Sequence, residues 1–375
     1  MQKNEVNWGP AIFIVTYHVL LLLILPFYFY FATIKLSTVV AMLILYFISM
    51  LSITIGYHRY FSHRSYETNK YVEFVLLFIS SMTAQGSALR WAHDHRLHHQ
   101  FVDTDKDPYS IKKGFWYAHL LWMFEKKSLD HKIVADLTGN KLVMFQHKHA
   151  SLLFVFTNVF VCGTIGLFLN DLLGAFMLLW WTRLFLLHHS TWCINSLAHM
   201  WGSQRYSKEF SAVDNFFLAI LTSGEGYHNY HHTFAKDYRN GVKWYHYDPS
   251  KWLIWSLKKM GLVSNVWRVN KFMIKKKLVM EDKKLLMDRI KDNVYVKKGV
   301  LVEKVNNISE RFSARISEIH EIIQNYKISK RNKESKSRLK NLKLQIKNRK
   351  KLIRKDWRSW NRLSKQILRL KPALN

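Results

Sequence analysis

Cysteine is almost absent: Cys162 and Cys193 are the only two in 375 residues, and no CxxC pair occurs. That excludes a disulfide framework and a cysteine-held iron–sulfur or rubredoxin-like centre. Charge is missing from whole stretches. Residues 6–34 contain no Asp, Glu, Lys or Arg, and neither do residues 36–57. Each run is long enough to cross the roughly 30 Å hydrocarbon core of a bilayer as a helix. A third charge-free run covers 150–170, and a fourth apolar stretch begins at Leu172 and passes Arg183 toward His189. Four spans are therefore expected, at about 11–33, 36–56, 151–170 and 172–191. No small-residue cleavage site follows the first run, which reads as a retained helix rather than a signal peptide.

Acidic residues are also scarce, 26 Asp+Glu against 57 Lys+Arg, and the imbalance sits mainly at one end. Residues 271–375 carry 32 Lys+Arg and 10 Asp+Glu. The connections at Lys35 and at Asn170-Asp171 are too short for folded domains, whereas residues 58–149 hold 13 Lys+Arg. By the positive-inside bias, both large polar regions and both termini face the cytoplasm, of a bacterial inner membrane or an endoplasmic reticulum. The polar histidines then all lie on one side.

Histidine is what the chain has in quantity. Eight of nineteen fall in three clusters: His58 with His63, then His95, His98 and His99, then His228, His231 and His232. A ninth, His199, closes Asn195-Ser-Leu-Ala-His199. HxxHH occurs twice, and its i, i+3, i+4 spacing puts three imidazoles on one helical face. The five-residue spacing of His58 and His63 fits a regular helix poorly, and a frayed end of the second span is expected there. Neutral imidazole suits iron, zinc, copper or nickel, with geometry deciding among them. Nine ligands are too many for one ion, so two ions with four or five nitrogens each are expected.

The motifs resemble the membrane-bound stearoyl-CoA, or Δ9 acyl, desaturase family. The likeness runs from about residue 8 to 265 and rests on His58-Arg-Tyr-Phe-Ser-His63, on Trp91 through His99 with Asp103 through Tyr109, and on Thr191 through His199. Gly224 through Phe234 and Asp237 through Pro249 complete it. The resemblance implies an all-α integral membrane protein: four transmembrane helices, a cytoplasmic helical cap holding a di-metal site, and a basic helical tail. The desaturase domain would be 1–268 and the tail 269–375. It implies two Fe ions, with His58, His63, His95, His99 and His231 around one, and His98, His199, His228 and His232 around the other. Asn195 would reach a metal through water. Gln85, Trp91, Thr191 and Trp192 match tunnel-lining positions, and Asp94, Lys112 and Lys113 match positions contacting the head group of an acyl-CoA. His93 stands where the animal enzymes have Arg, which leaves the carrier open and suggests a head-group or surface role. Asp103, Asp105, Asp107 and Glu225 are expected to orient imidazoles or arginines, and His188 and His189 to pack.

The implied reaction uses O₂ and two electrons to place a cis double bond in a saturated acyl chain. With no His-Pro-Gly-Gly motif in the tail, the electrons are expected from a separate donor such as cytochrome b5 or a ferredoxin, with its reductase. A histidine-box hydroxylase, an acyl-lipid desaturase and a non-catalytic scaffold are the other readings. In the tail, Leu339, Leu342, Ile346, Ile353, Trp357, Trp360 and Ile367 form an amphipathic stripe. It fits a helix on an anionic leaflet, a coiled coil, or a solvated helix; no nucleic-acid module is recognisable.

Overall fold

The structure, a computed structural model, describes residues 5–292 and 297–370. Contacts divide it into two compact units, residues 1–204 with 209–268, and residues 205–208 with 269–375.

In the first unit, four helices are long and apolar enough to cross a bilayer: Trp8–Phe31, Leu36–Ser62, Ala150–Phe168 and Leu172–His199. They leave Leu22, Phe31, Leu152 and Phe168 exposed, as lipid-facing side chains should be. The second and fourth helices run past the stretches expected from the sequence. Absence of charge ends at Tyr57 in the second and is broken by Arg183 in the fourth, yet both helices continue through polar and histidine-bearing residues. Arg183 shows how a cation is accommodated inside the fourth span. Its guanidinium is fully buried and donates to Ser49 Oγ (2.9 Å), Asn158 Oδ1 (2.6 Å) and the carbonyls of Leu179 (2.6 Å) and Met82 (3.3 Å). Carbonyls, a hydroxyl and an amide thus replace the water it lacks.

The end of the second span is not frayed. Ile53–Ser62 is wound as a π-helix and almost wholly buried. In that winding the amide of residue i+5 reaches the carbonyl of residue i, and His63 N donates to His58 O at 3.1 Å. The five-residue spacing therefore places both histidines on one face. Ile53, Tyr57 and Phe61 pack against Ala88, Leu89 and Ala92 of the helix Ala88–Phe101, which carries the first HxxHH. Small residues at 88 and 92 let the two elements approach closely.

The second HxxHH lies on the short helix His228–Thr233. Its approach is set by two glycines. A Cβ on Gly226 would stand 2.2 Å from the amide nitrogen of Ala219, so the backbone passes too close for any other residue. Gly224 has φ +107°, a left-handed conformation costly to L side chains. A two-stranded antiparallel pairing, Glu67↔Ser264 and Thr68↔Val263, ties residues near the second span to the end of the unit.

The second unit is a three-helix bundle of Lys271–Lys291, Lys298–Arg331 and Lys336–Leu368. Its core contains Val279, Leu286, Phe312, Ile316, Ile353, Trp360 and Ile367. Trp360 is completely buried and donates from Nε1 to Asp282 Oδ2 at 3.3 Å. The apolar stripe is thus consumed within the chain, because two further helices supply an apolar partner. Of the three readings, helix–helix association is the one the structure realises, within a single chain.

Candidate metal centre

The π-segment and the two HxxHH helices converge. His58, His63, His95, His99 and His231 bring one ring nitrogen each within 4.8 Å of one another, and so do His98, His199, His228 and His232. Within the first group Nε2 of His231 faces Nε2 of His58 at 3.0 Å and of His99 at 2.9 Å, and Nε2 of His63 faces that of His95 at 2.8 Å. Within the second, Nε2 of His228 faces those of His199 and His232, both at 3.1 Å. Also within the second group, Nε2 of His98 lies 3.2 Å from that of His232, and the two groups meet where the rings of His99 and His232 stack with centroids 4.3 Å apart.

Partners on the far side of the rings settle which nitrogen carries the proton. His98 Nδ1 lies 2.9 Å from Asp107 Oδ1, and His58 Nδ1 lies 2.8 Å from Glu225 Oε2. His199 Nδ1 lies 2.7 Å from Ser211 Oγ, whose hydroxyl in turn donates to Asp103 Oδ1 at 2.6 Å. An Nδ1–H held by a carboxylate or an occupied hydroxyl leaves the Nε2 lone pair free. The three Nε2 lone pairs point at ring nitrogens of His231 (3.0 Å from His58), His232 (3.2 Å from His98) and His228 (3.1 Å from His199). The donor set fits metal ions: all nitrogen, buried or half-buried, with His58, His98 and His199 oriented by acceptors behind their rings. Burial first, and then neighbouring imidazoles, hold His63, His95, His99, His228, His231 and His232 well below the ordinary histidine value. That keeps them in the neutral, ligating form. For Glu225, burial pushes the pKa up, but His58 and Arg59 outweigh it and hold the carboxylate charged.

Behind the first group the carboxylates are themselves anchored. Arg59, fully buried, donates to Glu225 Oε1 (3.0 Å from NH2) and Asp248 Oδ1 (3.0 Å), and Asn240 Nδ2 donates to Glu225 Oε2 at 2.6 Å. Asp107 orients His98 as expected of it, Asp103 acts through Ser211, and Asp105 is exposed without such a contact. His93 is not at the surface: it is buried, its Nδ1 2.8 Å from Asp94 Oδ1 and its Nε2 accepting from the amide of Asp130 at 3.0 Å. His188 packs under Trp192, with Nδ1 2.8 Å from Tyr17 OH. Ser211 lies in no motif the sequence shows, and Asp248 stands in the Asp237–Pro249 element without a role assigned to it.

A cavity of about 1040 Å³ runs beside the first group. Its wall includes Gln85, Trp91, Asp94, His95, Thr191, Trp192 and Asn195, together with Phe13, Ile14, Phe154, Trp180 and Trp181. Three of these polar groups are bonded in series: Trp91 Nε1 donates to Gln85 Oε1 (3.3 Å), and Gln85 Nε2 donates to Thr191 Oγ1 (3.1 Å). The cations of the wall are Arg90, Lys126 and Lys127. Lys112 and Lys113 lie outside it and are exposed, Lys113 reaching Tyr117 OH at 3.3 Å.

The fatty acid desaturase family model matches residues 35–263. The chain is similar to the "Probable acyl-CoA desaturase" of Schizosaccharomyces pombe, 41% identical over 258 residues, covering 67% of this chain and 53% of the relative. It is similar to "Acyl-CoA desaturase 1" of Saccharomyces cerevisiae, 39% identical over 244 residues, covering 64% of this chain and 48% of that protein. The match thus spans about half the length of these two yeast relatives. The "sn-1 stearoyl-lipid 9-desaturase" of Anabaena variabilis is 31% identical over 271 residues, 70% of this chain and 95% of that protein. A multi-pass membrane architecture, two converging histidine groups and a match over most of the chain lead to one conclusion: the chain belongs to the fatty acid desaturase family.

Proposed function

We propose that the chain is an O₂-dependent acyl desaturase that inserts a cis double bond, at Δ9, into a saturated long-chain acyl-CoA, using two electrons from a separate donor protein. The observation that carries this reading is that His95 belongs both to a group of imidazoles and to the wall of a large, mainly apolar cavity. The nine histidines would hold two iron ions, with Asn195 contributing through water. When bound, the irons supply the oxygen chemistry needed to break an unactivated methylene C–H, which no side-chain base can deprotonate.

The chain's own residues supply position. Phe13, Ile14, Phe154 and Trp181 exclude water and give a featureless acyl chain its only handle, shape. The Trp91–Gln85–Thr191 series crosses the wall close to His95, where it would hold the chain bent and so favour the cis product. Arg90, Lys126 and Lys127, the cations of the cavity wall, would meet a phosphate-bearing head group, a role the resemblance gave to Lys112 and Lys113. The yeast relatives' names specify acyl-CoA, which supports that carrier over the lipid-linked one of the Anabaena protein. Both termini and the metal groups would face the cytoplasm, as the basic loops favour.

The test is gas chromatography–mass spectrometry of fatty acids from a host lacking its own desaturase, expressing either this chain or His98→Ala. New Δ9 monoenes in the first and none in the second are expected. A hydroxylated product would replace desaturation with hydroxylation, and no product from iron-loaded protein with a supplied donor would leave the scaffold.

A further inference from the structure

The helix Lys336–Leu368 carries 13 Lys+Arg and a single acidic residue, Asp356. That carboxylate is buried and engaged by Arg311 and Arg315 on the neighbouring helix, so it neutralises nothing outside. Along one side, Lys343, Lys347, Lys350 and Arg354 follow each other at steps of four, three and four, a single helical stripe. With Tyr326 and Ile346 they line a groove of about 350 Å³. Among the described residues, no carboxylate lies within ion-pair distance of any of the four. The stripe continues onto the helix Lys271–Lys291, where Lys275 sits over the Trp357 ring at 4.6 Å. Burial, and then the charges of Lys271 and Arg354, push the Lys275 pKa down, as expected for cations crowded without counter-ions. Folding tolerates this repulsion, although acids elsewhere on the bundle, such as Glu318 with Arg349, do form pairs.

We propose that the stripe Lys343–Lys347–Lys350–Arg354 is a docking surface for the phosphate groups of anionic phospholipids. Three observations favour that occupant. The groove is lined by four cations and no anion, complementary to a dense array of phosphates. The same chain is anchored in a bilayer by four spans, so headgroups are always at high effective concentration. The one aromatic ring in the groove, Tyr326, is half-buried and covered by Lys343 at 5.9 Å, which leaves no free platform for stacking nucleic-acid bases. Attachment would use the charged side of the helix, with Trp360 kept inside the bundle. Each Lys or Arg near an anionic surface contributes roughly fivefold to partitioning, so four give on the order of several hundredfold.

The experiment holds the full chain in nanodiscs of phosphatidylcholine and measures flotation with separate vesicles of phosphatidylcholine, with or without phosphatidylglycerol. Binding only to the phosphatidylglycerol vesicles, weakened steeply by salt, is expected. The variant Lys343→Gln, Lys347→Gln, Lys350→Gln, Arg354→Gln should lose about a hundredfold or more of that binding. A control, Lys336→Gln, Lys340→Gln, Lys351→Gln, Lys355→Gln, removes equal charge elsewhere on the helix and should lose much less. Equal loss in both variants would overturn the stripe as a site. Absence of vesicle binding by the wild-type chain overturns the proposal independently of how the variants fold. Displacement from vesicles by millimolar inorganic phosphate would assign the groove to a soluble anion instead, and binding to an RNA oligonucleotide or an acidic protein in preference to vesicles would reject the lipid.

Discussion

Glu225→Gln isolates the consequence of orienting a ring from behind. The carboxylate accepts from Arg59 on Oε1 and from Asn240 on Oε2, and Oε2 also faces His58 Nδ1 at 2.8 Å. The amide has nearly the same shape but only one accepting atom. If its oxygen stays with Arg59, its NH₂ meets two donors, Asn240 Nδ2–H and His58 Nδ1–H. The cheapest relief is for His58 to move its proton to Nε2, which removes a lone pair from the five-histidine group. Loss of such an orienting partner typically costs 10–100-fold in metal affinity. Arg59 keeps Asp248 at 3.0 Å, so folding survives with a loss of about 1–3 kcal/mol. Chelator competition gives the affinity, and melting the metal-free protein gives the stability. The discriminating measurement is a cycle with His58→Ala. Because Glu225 acts through His58, the double variant should bind metal no more weakly than His58→Ala alone. Additive losses would refute the tautomer argument and reduce Glu225 to a structural ion-pair partner.

Asp103→Asn should weaken metal binding through the other group, since it disturbs the Ser211 hydroxyl that fixes His199; Ser211→Ala should match it within about twofold, and a silent Ser211→Ala in chelator competition would break the relay. Stability of the metal-free protein should fall as pH drops below about 6.5. Unfolded imidazoles take up protons there, while burial keeps His63, His95, His99, His228, His231 and His232 neutral in the fold, so unfolding binds protons and is favoured by acid. Thermal melts that are flat from neutral pH down to about 5 would contradict this. Trp360→Ala should destabilise the basic bundle by about 3–5 kcal/mol, read as earlier proteolysis after residue 269, because a fully buried indole leaves a cavity and orphans the Asp282 contact.

What was legible in the sequence follows the range of the interaction. The four spans and both HxxHH faces depend on neighbours within a few turns, and runs of composition or spacing expose them. The pair His58 and His63 was readable as a motif but misjudged as structure, because only a π-helix brings residues five apart onto one face and nothing local announces one. Its winding is imposed by packing of Tyr57 and Phe61 against a helix some thirty residues later. The partner of the stripe around Trp360 stayed open for a related reason. Amphipathicity says that a face will be covered, not by what, and here two helices of the same chain cover it. The surface reading of His93 is overturned by its burial, with Asp94 and the Asp130 amide taking its two ring nitrogens.

The residues that aim the ligands are the least legible of all. Ser211 lies 108 positions from the Asp103 it serves, and Glu225 lies 166 from Arg59. A histidine box fixes which rings share a face, but an imidazole has two nitrogens, and the box does not say which will carry the proton. For His58, His98 and His199 that choice is made by the acceptor behind the ring, brought in by the fold from another segment. A chain with every histidine intact and Glu225, Asp107 or Ser211 replaced would therefore keep the motif while presenting N–H groups where lone pairs are required. The motif is necessary for the metal groups, and the buried acceptors turn it into a binding site.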